Sequence, residues 1–248
     1  MVRRERKIGL ARALSKMGYC SRSSAVELIR AGRAQVNGIV RRDPETPVLE
    51  NRDSIAVDGV AVEARKKIYL MLNKPRGVVT TASDEKGRDT VYALLGNCGI
   101  PWVAPVGRLD KASEGLLLLT NDSEWGAQIA APETHVEKAY HVQIGKVVDT
   151  EFMRQVTRGV ESKGDVLQAK RIRYLRGGEK TCWLEIVLDE GKNRQIRRMM
   201  EAMGVEVLRL VRVAIGPLQL GSLAKKKYRE LTLAEKKMLD QAMTRKHS

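Results

Sequence analysis

The run Gly115-Leu116-Leu117-Leu118-Leu119 constrains the fold more tightly than any other feature of this chain. Spanning a bilayer takes roughly 20 apolar residues, so five cannot do it. The run also lacks the apolar–polar alternation of a half-exposed strand. A strand at 115–120 therefore has to be covered on both faces, inside a layered domain. Hydrophobic residues make up 43% of the 248, enough for a packed core of that kind. Further strands are expected at 68–72, 78–81, 139–144, 169–174 and 182–188, and helices at 90–95, 124–130, 150–158, 194–203 and 233–242. Strands and helices without a regular βαβ rhythm predict an α+β fold with a mainly antiparallel sheet and flanking helices.

Charge divides the chain unevenly. Lys and Arg outnumber Asp and Glu by 45 to 30, a net charge of +15. Residues 1–67 hold 15 of those cations against 8 acids, so nearly half of the excess sits in about a quarter of the length. A small basic unit joined to a larger, milder one suggests a nucleic-acid grip attached to something else. The charged stretch Glu63-Ala64-Arg65-Lys66-Lys67 marks the change, and places the boundary between 1–63 and 64–248.

Within the basic unit, Leu10, Leu14 and Met17 recur at helical spacing and Gly18 ends the helix. Ser21 or Ser24 can cap a second helix, with Ser24 to Glu27 fitting a capping box and Gly32 placed as its left-handed stop. Residues 35–40 read as a hairpin turning at Asn37-Gly38, and 54–62 as another turning at Asp58-Gly59. Arg12, Arg22, Arg30 and Arg33 punctuate the polar sides, where cations can follow a phosphate backbone. The ordered set Leu10, Arg12, Leu14, Gly18, Arg22, Leu28, Arg30, Gly32, Val36, Asn37 and Gly38 resembles an S4 RNA-binding domain, and by that resemblance the four arginines contact phosphate.

The larger unit has no Walker loop and no dinucleotide glycine fingerprint, so nucleotide-driven chemistry has no anchor in it. Cys20, Cys98 and Cys182 form no C-x-x-C pair and read as small buried hydrophobes. With only His135, His141 and His247 beside them, no metal site is expected. The basic N-terminus has no apolar signal core behind it, and the expected setting is the cytoplasm. Chemistry concentrates in two segments. In the first, Asp110 lies just before the apolar strand, between Gly107 and Gly115, and reads either as a turn aspartate or as a partly desolvated acid that needs cations or amides to stay ionised. In the second, Ile196, Met199, Met200 and Met203 define the buried face of a helix. At about 100° per residue Arg197 falls on the flank of that face, while Arg194 and Arg198 point away. This predicts that Arg197 reaches the acid, and that Lys192, Arg194 and Arg198 meet phosphate near the helix N-terminus.

These segments, with Leu72-Asn73-Lys74-Pro75-Arg76-Gly77, Gly107-Arg108-Leu109-Asp110 and Glu137-Lys138-Ala139-Tyr140, resemble the bacterial ribosomal RNA pseudouridine synthases that carry an N-terminal S4 domain. The resemblance implies isomerisation of uridine in place, with base flipping and no cofactor, metal or energy source. Carried over by motif, Asp110 is the nucleophile and Arg197 its partner. Tyr140 packs on the flipped uracil and is a candidate base, although an unperturbed phenol titrating near ~10 is a poor one. Arg108 fills the space the base vacates, and Lys74 and Arg76 join Lys192, Arg194 and Arg198 as RNA contacts. The implied partner is ribosomal RNA or a ribosomal subunit precursor, met by a monomer, with no membrane involved. Two other readings stand beside this one: a non-catalytic RNA-binding or ribosome-assembly factor, and a synthase acting on another RNA.

Overall fold

The computed structural model describes residues 7–49, 52–81, 87–96 and 99–244; Cys98 and His247 lie outside them. The chain forms two compact units. One comprises Met1–Tyr69 with Asn97–Ala104 and Thr120–Ser123, the other Leu70–Gly96, Pro105–Leu119 and Glu124–Ser248.

In the first unit, Lys7–Gly9 (β1), Leu10–Lys16 (α1), Arg22–Arg30 (α2), Ala34–Val36 (β2), Ile39–Arg41 (β3), Pro47–Leu49 (β4), Ile55–Val57 (β5) and Val60–Ala61 (β6) follow in order. Leu10, Leu14, Ala25 and Ile29 from the helices pack with Val36, Val48, Ile55 and Val57 from the strands. Both expected hairpins are present: Asn37 and Gly38 have φ of 52° and 79°, as do Asp58 and Gly59, the left-handed pair that a two-residue turn demands. The cap of α2 is Ser21, whose hydroxyl accepts from the Ser24 amide at 3.0 Å. Ser24 is thus the third helical residue, and the capping-box reading of Ser24 is corrected.

The second unit is built on a nine-stranded sheet. Its strands are Tyr69–Lys74 (β7), Ala104–Val106 (β8), Glu114–Thr120 (β9), Lys138–Ile144 (β10), Arg171–Gly177 (β13), Cys182–Leu188 (β14), Val207–Ile215 (β15), Leu218–Gln219 (β16) and Tyr228–Glu230 (β17). A separate hairpin pairs Val160–Ser162 (β11) with Asp165–Leu167 (β12), and the helices are Ser123–Ala130 (α3), Thr150–Arg158 (α4), Gln195–Ala202 (α5) and Leu233–Thr244 (α6). The sheet runs β13-β14-β10-β15-β9-β7-β17, with β16 beside β15 and β8 beside β9. Pairing is antiparallel at β13–β14, β14–β10, β10–β15 and β7–β17; β15 and β9 run parallel. All seven residues of β9 are buried, as the unbroken apolar run requires. Ile196, Met199 and Met200 of α5 pack with Val142, Leu184 and Ile186 of the sheet, with Met203 at the margin, as their spacing predicts.

Two expectations fail, and one strand goes unpredicted. Residues 78–81 form no strand: Val79 makes one bridge to Thr90, its amide donating to Asp89 and its carbonyl accepting from Val91. The helix expected at 90–95 is a single 3₁₀ turn, Val91–Leu94. The nine-residue strand β15 went unpredicted because Arg209 and Arg212 interrupt its apolar residues, and both guanidiniums turn out to be used internally.

The β9–β15 contact is unusually close. Gly115 has φ of 102°, and a Cβ there would overlap the Arg212 carbonyl oxygen and lie 2.8 Å from the Arg212 nitrogen. No side chain fits without parting the two strands. Gly115→Ala is therefore expected to lower the unfolding free energy by at least about 3 kcal/mol. Chemical denaturation measures this, and an unchanged midpoint would show that the strands have room to move.

Candidate active site

Between β8 and β9 the chain makes a tight loop, residues 109–113, and the surrounding structure bonds every carbonyl in it. Leu109 O accepts from the Thr80 hydroxyl at 2.8 Å. Asp110 O accepts from the Lys74 ammonium at 3.1 Å and from the Ser113 amide at 2.9 Å. Lys111 O accepts from the Gly77 amide at 2.8 Å, and Ala112 O from Arg197 Nη2 at 2.9 Å. Ser113 O accepts from Lys74 at 2.9 Å. With its backbone fixed, the loop presents the Asp110 carboxylate, about a third exposed, to a cleft of about 310 Å³. Arg108, Asp110, Lys138, Tyr140, Arg194 and Arg212 line that cleft, a volume suited to one small planar ligand group.

The cations around Asp110 are arranged differently from the expectation. Its ion-pair partner is Arg194, with Nη1 3.6 Å from Oδ2. Arg194 precedes α5 in a left-handed conformation, φ 48° and ψ 33°, so a helical angle does not describe where its side chain points. Arg197 does lie on the flank of the apolar face, but its two terminal nitrogens donate to the Ala112 and Val207 carbonyls, at 2.9 and 3.2 Å. Burial is the main influence pushing the Arg197 pKa down, followed by the charge of Arg194, while Asp110 acts the other way. Arg197 thus faces Asp110 through the field and through the loop backbone.

Lys74, expected to contact RNA, is fully buried, and its third donation goes to Pro75 O at 3.2 Å. It is a backbone tie inside the unit. Arg198 is also used internally. It donates to Ser162 O and, at 2.8 Å, to Asp165, holding the β11–β12 hairpin rather than a phosphate. Lys192 stays exposed, with its ammonium 3.0 Å from Val166 O, and Arg76 and Arg108 are exposed. In the first unit Arg12, Arg22 and Arg30 are exposed, with Arg22 3.6 Å from Glu45. Arg33 is already occupied by both carboxylate oxygens of Asp58.

Several residues that shape the site carry no signal in the sequence. Gln195 is buried and donates to Gln168 O at 3.0 Å and to Glu190, while its own oxygen accepts from the Lys192 amide at 3.2 Å. Glu114, also buried, accepts from Arg209 at 2.8 Å and from Lys225 at 2.6 Å. Burial raises the Glu114 pKa, but these two cations outweigh it and hold the carboxyl below the usual range. The partners of Glu114 stand more than ninety residues away and leave no local pattern to read. Thr80 stands in a segment that was expected to be a strand, and Arg212 in a strand that was not expected.

A family model described as RNA pseudouridylate synthase matches residues 68–202, and one described as S4 domain matches residues 8–53. Ribosomal large subunit pseudouridine synthase B of Bacillus subtilis (strain 168) is 37% identical over 233 residues, covering 93% of this chain and 94% of that protein. An RNA pseudouridine synthase of Aquifex aeolicus (strain VF5) is 37% identical over 243 residues, 97% of each chain. Among solved structures, a crystal structure of pseudouridylate synthase superposes with a TM-score of 0.66 at 27% identity, covering 94% of this chain and 99% of that one.

Lys74 gives a titration test of the loop. Burial pushes its pKa down from 10.5 to about 8, against the pull of Asp110 and Glu114. Between those two pH values the unfolded chain holds a proton that the folded chain has released, so this group makes stability rise with pH across the window. The difference in unfolding free energy between wild type and Lys74→Met is expected to shift towards the wild type from about pH 8 to about 10.5. A difference independent of pH in urea titrations would show that burial does not lower the Lys74 pKa.

Proposed function

Because the chain belongs to the RNA pseudouridylate synthase family and carries an S4 domain, we propose that it isomerises a specific uridine in ribosomal RNA, with Asp110 as the nucleophile. The observation that carries the reading is the pinned loop: an acid on a loop whose carbonyls are all bonded, paired with Arg194, at a cleft it shares with Tyr140. A pure RNA binder has no use for a carboxylate set among cations, where it repels phosphate.

In this reading the target base leaves its stack, at a cost of a few kcal/mol in a paired region. Arg108, exposed at the cleft, takes the vacated space, and Tyr140 packs against the flipped ring. Asp110 attacks the ribose at C1′ and the glycosidic electron pair leaves with uracil. The ring turns, C5 bonds to C1′ as Asp110 departs, and the C5 proton is passed on to N1. Product and substrate are isomers, so the cycle consumes nothing. Fixing the nucleophile before the substrate arrives removes an orientational cost from the barrier. Arg194 meets the carboxylate directly, and the charges of Lys74 and Arg197 lie beside it.

The first unit, taken as residues 1–63, serves as the grip, with Arg12, Arg22 and Arg30 as its exposed cations. Arg33 contributes less while Asp58 occupies it. Charge of this kind sets affinity and its salt dependence without reading sequence. The protein is placed in the cytoplasm as a monomer on ribosomal RNA or a subunit precursor.

With ribosomal RNA tritiated at uridine C5, the wild type is expected to release tritium, and Asp110→Asn to bind equally well and release none. An Asn variant with near-wild-type turnover would remove Asp110 as nucleophile; binding without release by the wild type would favour an assembly factor. Replacing Arg12, Arg22 and Arg30 together by Gln is expected to weaken RNA binding and reduce the slope of log affinity against log salt by about two to three. An unchanged slope would take the grip away from these residues.

A further inference from the structure

The cleft holds two cations that the steps above leave unused. Arg212 on β15 is the register partner of Tyr140 on β10, so both side chains leave the same face of the sheet, about 5 Å apart at Cβ. Arg212 is only 5% exposed, and its Nε donates to Leu116 O at 2.7 Å. Its Nη2 is buried with no hydrogen-bond partner among the described residues. Lys138, two residues before Tyr140, lines the same cleft, and burial followed by the charge of Arg212 pushes its ammonium below the ordinary lysine range, with Asp189 opposing. Neither side chain forms an ion pair among the described residues.

An unmatched buried guanidinium N–H beside a second cation is unfavourable in the free protein. A ligand that brings an acceptor relieves both penalties. Arg212 lies too deep for a backbone phosphate to reach, so the acceptor has to belong to the part of the substrate that enters the cleft. A uracil packed on Tyr140 carries two carbonyl oxygens at its edge. When the C1′–N1 bond opens, its electron pair goes to N1 and, by conjugation, onto those oxygens.

We propose that Arg212 is a catalytic residue: its unpaired guanidinium N–H donates to a carbonyl oxygen of the uracil held against Tyr140, and holds the negative charge the ring gathers as the glycosidic bond breaks. Lys138 adds to the positive potential at the same oxygen. The inference rests on the synthase reading above. The step itself balances: Asp110 bonds to C1′, the C1′–N1 pair moves into the ring, and no proton or oxidant is consumed. The charge is discharged when C5 joins C1′ and the C5 proton reaches N1.

The test uses a short RNA hairpin containing the uridine that the wild-type chain modifies, made with uridine, 2-thiouridine or 4-thiouridine at that position. Sulfur is a weak hydrogen-bond acceptor, so it removes the contact from one ring position at a time. Single-turnover rates are measured for wild type, Arg212→Met and Arg212→Lys, with RNA affinity from filter binding. Arg212→Met is expected to be slower by about 10²- to 10³-fold at unchanged RNA affinity, the loss typical of removing one oxyanion donor, and Arg212→Lys to recover part of the rate. Sulfur at one of the two positions slows the wild type and has no further effect in Arg212→Met. Sulfur slowing both proteins equally, or Arg212→Met running at wild-type speed, overturns the proposal. If Arg212→Met fails to fold because the Leu116 tie is lost, the wild-type thio series decides, and insensitivity at both positions overturns it. A wild type that modifies no uridine in ribosomal RNA removes the underlying reading, an outcome distinct from either.

Discussion

Five consecutive carbonyl oxygens, from Leu109 to Ser113, each accept a hydrogen bond, and the geometry of the site follows from that. A loop with its acceptors satisfied by fixed donors has little left to gain from any other conformation. Two of those donors are cations, the fully buried Lys74 and the partly buried Arg197, and a charge at the depth of Lys74 is costly unless it serves polar groups. Their hydrogen bonds go to the backbone and their fields act on the neighbouring carboxylate. One arrangement thereby fixes where Asp110 stands, leaving Arg194 as the side chain that meets it directly.

The rest of the unit supports this loop. β9 can leave it for the sheet interior only because Gly115 lets β15 approach its backbone. β15 in turn places Arg212 beside Tyr140, so the closeness that excludes a Cβ also brings a cation to the cleft. Glu114, at the start of β9, gathers Arg209 and Lys225, so that two solvent-accessible cations meet one buried carboxylate and anchor the strand. The loop that carries Asp110 leads into β9, and Arg212 stands on the neighbouring β15, where a small shift of either strand would be resisted by the packing of both.

Much of this was legible in the sequence, and what was not has physical reasons. Asn37-Gly38 and Asp58-Gly59 announced their turns because few other dipeptides tolerate that backbone. The methionine face of α5 followed from spacing alone, as did the burial of β9. Helical projection misplaced Arg194 because the residue lies before the helix, in a left-handed conformation that no periodicity reports. Lys74 read as a surface cation since lysine is rarely buried; only the fold brings three carbonyls to it. β15 was hidden by its arginines, which look like surface residues until Glu114 and the Leu116 carbonyl arrive from far away in the chain.

The central claim, that the loop is set before RNA binds, is tested most directly by amide hydrogen exchange in the RNA-free protein. The Ser113 and Gly77 amides donate to Asp110 O and Lys111 O. Both are predicted to exchange as slowly as the amides of residues 116–119 in β9, released only when the whole unit opens. Rapid exchange at Ser113 and Gly77, slowed only on addition of ribosomal RNA, would show that the substrate orders the loop and would contradict a preformed site.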